Sequence, residues 1–176
     1  MVIWIIGLSG AGKTTIGRKL RDRLAAMGRP VVFFDGDIFR NIMGDDLGHT
    51  IEERKKNAQR ICRFCQYLEK QGIDVVFALL SLFPESQEWN RKNLSQYFEV
   101  YLDVSMDTVM KRDPKGLYKK ALAGEITHVV GVDINFEPPL HPDLVVNNDD
   151  ERVDHGGIVD AIMEGLEEKK LIQSPL

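Results

Sequence analysis

Apolar residues fall along this chain in short unbroken runs, separated by stretches with helical spacing. The run "VIWII" (2–6) predicts a fully buried strand, and "KTTIGRKLRDRLAAMG" carries helical periodicity after it as far as Gly28. "PVVFF" (30–34) predicts a second strand, stopped by the acidic turn "DGD". A long amphipathic helix spans 51–71 and closes on Gly72, and "IDVVFALL" (73–80) follows as a third strand. A short polar helix around 85–95 precedes a fourth strand, "YFEVYLDV" (97–104). "SMDTVMKR" then starts a helix with Ser105 as its N-cap. "PDLVVNN" (142–148) supplies a fifth strand, and a last helix runs from about 154 to 170. Strands that are apolar on both faces, with helices between them, predict a single three-layer α/β domain around a five-stranded parallel sheet. Residues 113–141 break the pattern: rich in Gly, Lys and Pro and without a strand signal, they predict a mobile lid. The terminal "QSPL" is expected to fray.

The length of 176 residues suits one domain, and 43% hydrophobic with 28% charged residues is ordinary for a globular protein. A net charge of -4 speaks against a nucleic-acid partner. The apolar runs fall far short of the ~20 residues that cross a bilayer, so no membrane association is expected. The start lacks a basic segment and a cleavage site, which makes the cytoplasm the expected location. Cys62 and Cys65 form a C-x-x-C pair inside a helical pattern. With no second pair and no matching histidines, they read as small side chains on a partly buried helix face.

The chemistry begins at "GLSGAGKTT" (7–15), between the first strand and the first helix. Gly7, Gly10, Gly12, Lys13 and Thr14 fit G-x-x-x-x-G-K-[ST]. Glycines let successive backbone N–H groups curl round a polyphosphate, and the helix N-terminus adds favourable potential. Lys13 would reach the β- and γ-phosphates, and the Thr14 hydroxyl would ligate Mg²⁺. This is the pattern of an ATP or GTP site.

No guanine-reading N-K-x-D occurs late in the chain; "NNDD" (147–150) does not fit. Asp35, Gly36, Asp37 and Arg40 follow the second strand, where carboxylates would face the phosphate loop. One carboxylate can hold the metal or its water, and the other can accept a proton from an attacking hydroxyl. Basic residues then converge: Arg40, Arg54 and Arg60 with Asn57, and later Arg112, Lys115, Lys119 and Lys120. Arg54, Asn57 and Arg60 are spaced to share roughly one helix face, which suggests a second anionic substrate. A kinase is therefore expected, ahead of a nucleotide sensor or a simple ATPase. A sensor would be favoured by a broken Lys13, Thr14 or Asp37, and a lid excludes the water an ATPase needs.

From "IIGLSGAGKTT" through "DGDIFR", "DLGHTIEERKKNAQR" and "RDPKGLYKKALAGEI" to "GVDINFEPP" and "PDLVV", the chain resembles the adenylylsulfate (APS) kinase family. The resemblance implies a P-loop kinase, commonly dimeric, that moves the γ-phosphoryl of MgATP to the 3′-hydroxyl of adenosine 5′-phosphosulfate. It implies an ATP site at Gly7, Leu8, Ser9, Gly10, Ala11, Gly12, Lys13, Thr14 and Thr15, with Arg112 on the adenine. Asp37 becomes the base, with Asp35 and Lys13 in the same catalytic pocket. Arg40, Arg54 and Asn57 would hold the acceptor's phosphate and sulfate, and Lys115, Gly116 and Leu117 would lie in the lid over both nucleotides. Leu80 and Ser81 join the acceptor site, Ser81 standing where the family has a serine sometimes labelled a phosphoserine intermediate. Direct in-line transfer needs no such intermediate, so Ser81 is expected to touch substrate.

Two positions depart from the family. His49 stands where "DLGF" has Phe, and Val129 where a second Phe precedes Thr-Gly-Ile/Val. Those aromatics sandwich the acceptor's adenine, and each loss removes stacking of about 1–3 kcal/mol. "SLFPE" (81–85) also replaces the family's Ser-Pro-Tyr-Arg. Either His49 still stacks, with Phe83 or Phe136 filling in, or the acceptor is another nucleotide with a small group on its terminal phosphate. A related kinase acts on cytidine diphosphoramidate in capsule-sugar decoration, and a pyrimidine needs less stacking surface. Both acceptors remain open from the residues alone.

Overall fold

The structure is a computed structural model that describes residues 1–149 and 155–173. Its elements run β1 (Val2–Ile6), α1 (Lys13–Ala26), β2 (Val31–Asp35), α2 (Gly36–Ile42), α3 (Ile51–Lys70), β3 (Asp74–Leu79) and α4 (Pro84–Asn93). They continue with β4 (Tyr97–Asp103), α5 (Met106–Arg112), α6 (Leu117–Leu122), β5 (Leu144–Asn147) and α7 (His155–Glu168). The sheet order is β2-β3-β1-β4-β5, and each neighbouring pair is parallel. Of the terminal "QSPL", residues 174–176 lie outside the described residues.

β1 sits centrally and is buried along its whole length. Its side chains alternate between two cores. Ile3 and Ile5 pack with Ile16, Leu20 and Leu24 of α1 and Ile158, Ile162 and Leu166 of α7. Val2, Trp4 and Ile6 pack on the other face with Phe39 of α2, Ile61 and Cys65 of α3, and Phe77 of β3. A strand covered on both sides must be apolar at every position, which is why periodicity shows it as an unbroken run. The parallel order sends every strand's C-terminal end to one edge of the sheet, where the loops form the site.

Two segments differ from the sequence expectation. The acidic "DGD" is no mere turn: Asp35 ends β2 and caps α2, whose Gly36 and Asp37 form its first turn. The segment 113–141 is not featureless either, since it contains α6 and an isolated bridge between Val130 and Ile134. Tyr118 of α6 is fully buried and donates its hydroxyl to the Ser9 carbonyl at 3.0 Å, docking this segment on the phosphate loop.

Candidate active site

The loop after β1 coils as its glycines dictate. Gly10 and Gly12 have φ of 82° and 90°, a region that penalises side chains. A Cβ on Gly12 would also come within 3.0 Å of Asn148 Nδ2, which donates to the Ala11 carbonyl. Ser9, Gly10, Gly12, Lys13, Thr14 and Thr15 line a cavity of about 1080 Å³. Gly7, Leu8 and Ala11 lie behind that surface, buried in the core. Gly7 is pressed against the Leu102 carbonyl, and Leu8 accepts a 2.6 Å hydrogen bond from Lys13 Nζ. Burial, and then repulsion from Lys115, bring the Lys13 pKa down to about 8, against the opposing pull of Asp35 and Asp37.

The two aspartates divide their work by geometry. Asp35 Oδ1 accepts from the backbone N–H of Asp37 at 3.1 Å and of Ile38 at 2.9 Å, capping α2. Its Oδ2 accepts from the Thr14 hydroxyl at 3.2 Å. Asp37, on the first turn of α2, has its exposed carboxylate on the cavity and pairs with Lys115 from the lid. Asp35 is committed to the cap and the loop, whereas Asp37 is held, among the described residues, only by the lid's Lys115 and is freed for proton transfer when that pair opens.

Arg40 and Arg54 bring positive charge to the same cavity. Arg40 Nη1 donates to the carbonyls of Leu47 and Gly48 at 2.7 and 2.9 Å. Arg54 donates from Nε to the His49 carbonyl and from Nη2 to the His128 carbonyl, both at 2.8 Å. Among the described residues neither guanidinium forms a carboxylate ion pair. Burial, followed by the charge of Arg40, lowers the Arg54 pKa, and burial with both arginines lowers that of His49. Guanidinium groups held by backbone carbonyls rather than by a carboxylate ion pair suit a phosphate or sulfate oxyanion.

The remaining expected residues distribute as follows. Asn57, Leu80, Ser81, Arg112, Lys115, Leu117, His49 and Val129 line the cavity, while Gly116, at φ 63°, begins α6 beside it. Ser81 has φ 51°, and both its carbonyl and its hydroxyl accept from Gln87 Nε2 at 3.1 and 3.2 Å. Arg112 donates to the Asn148 carbonyl at 2.9 Å. Phe83 lines the cavity, but Phe136 packs on Tyr101 with ring centroids 6.2 Å apart and does not fill the slot. Arg60 is paired with Asp46 at 2.8 Å, away from the cavity, and Lys119 and Lys120 are exposed outside it. Each three-residue step along a helix lags by about 60°, so Arg60 turns about 120° away from Arg54. Cys62 and Cys65 are buried in the core; burial pushes the Cys62 thiol up to about 12 and raises that of Cys65 strongly. Both stay protonated, as structural thiols do.

Residues not anticipated also face the cavity: His128, Asn148 and His155. Asn148 follows the end of β5, a position that strand topology flags, whereas the two histidines carry no sequence signal of their own.

No group of three or more His, Cys, Asp or Glu among the described residues could hold a metal ion. The Thr14 hydroxyl and the Asp35 carboxylate are nevertheless hard oxygen donors beside the loop. Mg²⁺ takes few protein ligands and completes its shell with phosphates and water, so this donor set fits it. No helix among the described residues is long and apolar enough to cross a membrane.

Comparison with known proteins completes the picture. The adenylylsulphate kinase family matches residues 1–147. A cytidine diphosphoramidate kinase of Campylobacter jejuni is 42% identical over 147 residues, 84% of this chain and 85% of that protein. An adenylyl-sulfate kinase of Vibrio cholerae is 38% identical over 98% of this chain and 80% of its own length. Among solved structures, the Mycobacterium tuberculosis APS kinase in complex with AMPPNP and APS superposes with a TM-score of 0.87. It is 31% identical and covers 94% of this chain and 96% of that one.

Proposed function

The chain belongs to the adenylylsulphate kinase family and is an ATP-dependent nucleotide kinase of that type; from this premise we propose that its acceptor is adenosine 5′-phosphosulfate, phosphorylated at the ribose 3′-hydroxyl. One observation carries the proposal. A single cavity of about 1080 Å³ is lined by the phosphate loop, by Asp37, and by Arg40 and Arg54, which form no carboxylate ion pair among the described residues. That volume is at the upper end for ligand pockets, as two nucleotides require.

In this reading the loop N–H groups and Lys13 cradle the ATP phosphates, with Arg112 on the adenine. Thr14, backed by Asp35, would hold magnesium. When bound, the metal neutralises charge on the phosphate oxygens. Arg40, Arg54 and Asn57 hold the acceptor's anionic end, with Leu80 and Ser81 as contacts. Asp37 takes the proton of the 3′-hydroxyl as its oxygen bonds to the γ-phosphorus; the bond from that phosphorus to the β–γ bridging oxygen breaks, and ADP leaves. For this step Lys115 must give up its hold on Asp37, and the phosphates offer it a more concentrated negative charge. Lys115, Gly116 and Leu117 close over both nucleotides, excluding water that would waste ATP.

A second reading has a specific observation behind it. His49 and Val129 offer less stacking surface than two phenylalanines, and the Campylobacter jejuni relative is named for a cytidine diphosphoramidate acceptor. Measuring ADP formation side by side with APS, with cytidine diphosphoramidate and with neither decides the matter. APS-dependent ADP supports the first reading, and selective use of the cytidine compound replaces it with the second. Equal ATP loss without any acceptor overturns both. The same reading includes a cytoplasmic homodimer, supported by exposed Leu140 and Val145 near edge strand β5, and sedimentation velocity tests the dimer.

A further inference from the structure

The loop 47–49 and the turn 128–134 supply the positions where the proposed acceptor base would lie, and both are hung on one side chain. On the first side, three successive carbonyls face guanidinium groups: those of Leu47 and Gly48 accept from Arg40, and that of His49 accepts from Arg54. On the second, the His128 peptide is pinned from both ends. Its N–H donates to Asp133 Oδ2 at 2.5 Å, and its carbonyl accepts from Arg54 Nη2 at 2.8 Å. His128 adopts φ 63°, a conformation that costs on the order of 1 kcal/mol for a residue with a side chain and persists only where surroundings impose it. Val129 is fixed as firmly: its N–H donates to Asp133 Oδ1, and its carbonyl accepts from the N–H groups of Val132, Asp133 and Ile134.

We propose that Arg54 and Asp133 form a brace that sets the width of the acceptor-base slot, Arg54 tying His49 to His128 and Asp133 locking the turn that carries Val129. The inference rests on the acceptor reading above, and it makes Asp133 a positioning residue without substrate contact. A planar fork can hold two carbonyls at a fixed separation, which a lysine ammonium cannot. The Nη1 group takes no part in these bonds and, among the described residues, stays available to the acceptor's oxyanion.

Amide hydrogen exchange on the ligand-free chain, combined with steady-state kinetics using APS, tests the brace. Arg54→Lys should speed exchange about tenfold in both 45–50 and 127–134, whereas Asp133→Asn should do so only in 127–134. In both variants the KM for APS should rise about tenfold while that for ATP stays within about twofold. Unchanged exchange in either segment of Arg54→Lys overturns the brace, as does an ATP KM that rises alongside the acceptor KM. Asp133→Asn is nearly isosteric at an exposed position, so it serves alone if Arg54→Lys fails to fold. Should the wild type leave APS unphosphorylated, the acceptor reading fails, and the exchange pattern still decides the brace.

Discussion

The Thr14 hydroxyl donates to Asp35 Oδ2 at 3.2 Å, although β3 lies between the strands that lead to these two residues. The phosphate loop thus reaches across a strand to the end of β2, and the carboxylate it meets also caps α2. One side chain fixes both the loop and the helix that carries Asp37.

Asparagine caps helices as well as aspartate does, which separates the two roles of Asp35. Asp35→Asn should leave thermal stability nearly unchanged while weakening magnesium dependence of turnover, seen as a raised magnesium requirement. Asp35→Ala should in addition lose about 1 kcal/mol of stability with the cap. Calorimetry beside magnesium titrations of activity measures both.

Lys13 must be charged to meet phosphates, and its pKa of about 8 places its loss of charge just above neutrality. The kcat/KM for ATP should therefore fall as pH rises through about 8. Burial lowers the Lys13 value most and the Lys115 charge adds to it, so Lys115→Met should move this midpoint part of the way upward. A pH profile of the two proteins, with ATP varied, checks the direction.

Much of this was legible in the chain. The five strands match the apolar runs to within two residues. β1, β3 and β4 are buried on both faces, while β2 and β5 at the sheet edges are only partly covered and were legible from their Val, Phe and Leu runs. The phosphate loop was legible because its glycines are demanded by backbone geometry. α2 was not: Asp-Gly-Asp favours turns, and only the folded backbone turns the Asp35 carboxylate onto the Asp37 and Ile38 N–H groups. α6 was hidden by its lysines, since the burial of Tyr118 depends on Ser9, 109 residues away. Arg54 and Arg60 looked equivalent by spacing, and helix rotation separates them. Asp133 gave no signal, because its work is to bind two backbone N–H groups of a turn.

His49 faces two guanidinium groups that, after burial, depress its pKa. A bound oxyanion offsets those charges, so acceptor binding raises the His49 pKa and takes up protons. The acceptor KM should fall as pH drops below ~6.5, the ordinary histidine range. His49→Phe should abolish that dependence and tighten a purine acceptor through its larger stacking face, by less than the ~1–3 kcal/mol that separates an aromatic from alanine. Acceptor KM across pH for both proteins gives the answer.

The central claim is that Asp37 takes the proton of an acceptor hydroxyl in a direct transfer. Single-turnover phosphorylation of APS by Asp37→Asn, with ATP binding measured separately, tests it most directly. The rate should drop by about two to four orders of magnitude while the ATP dissociation constant changes little. A rate near that of the unaltered enzyme would contradict the account.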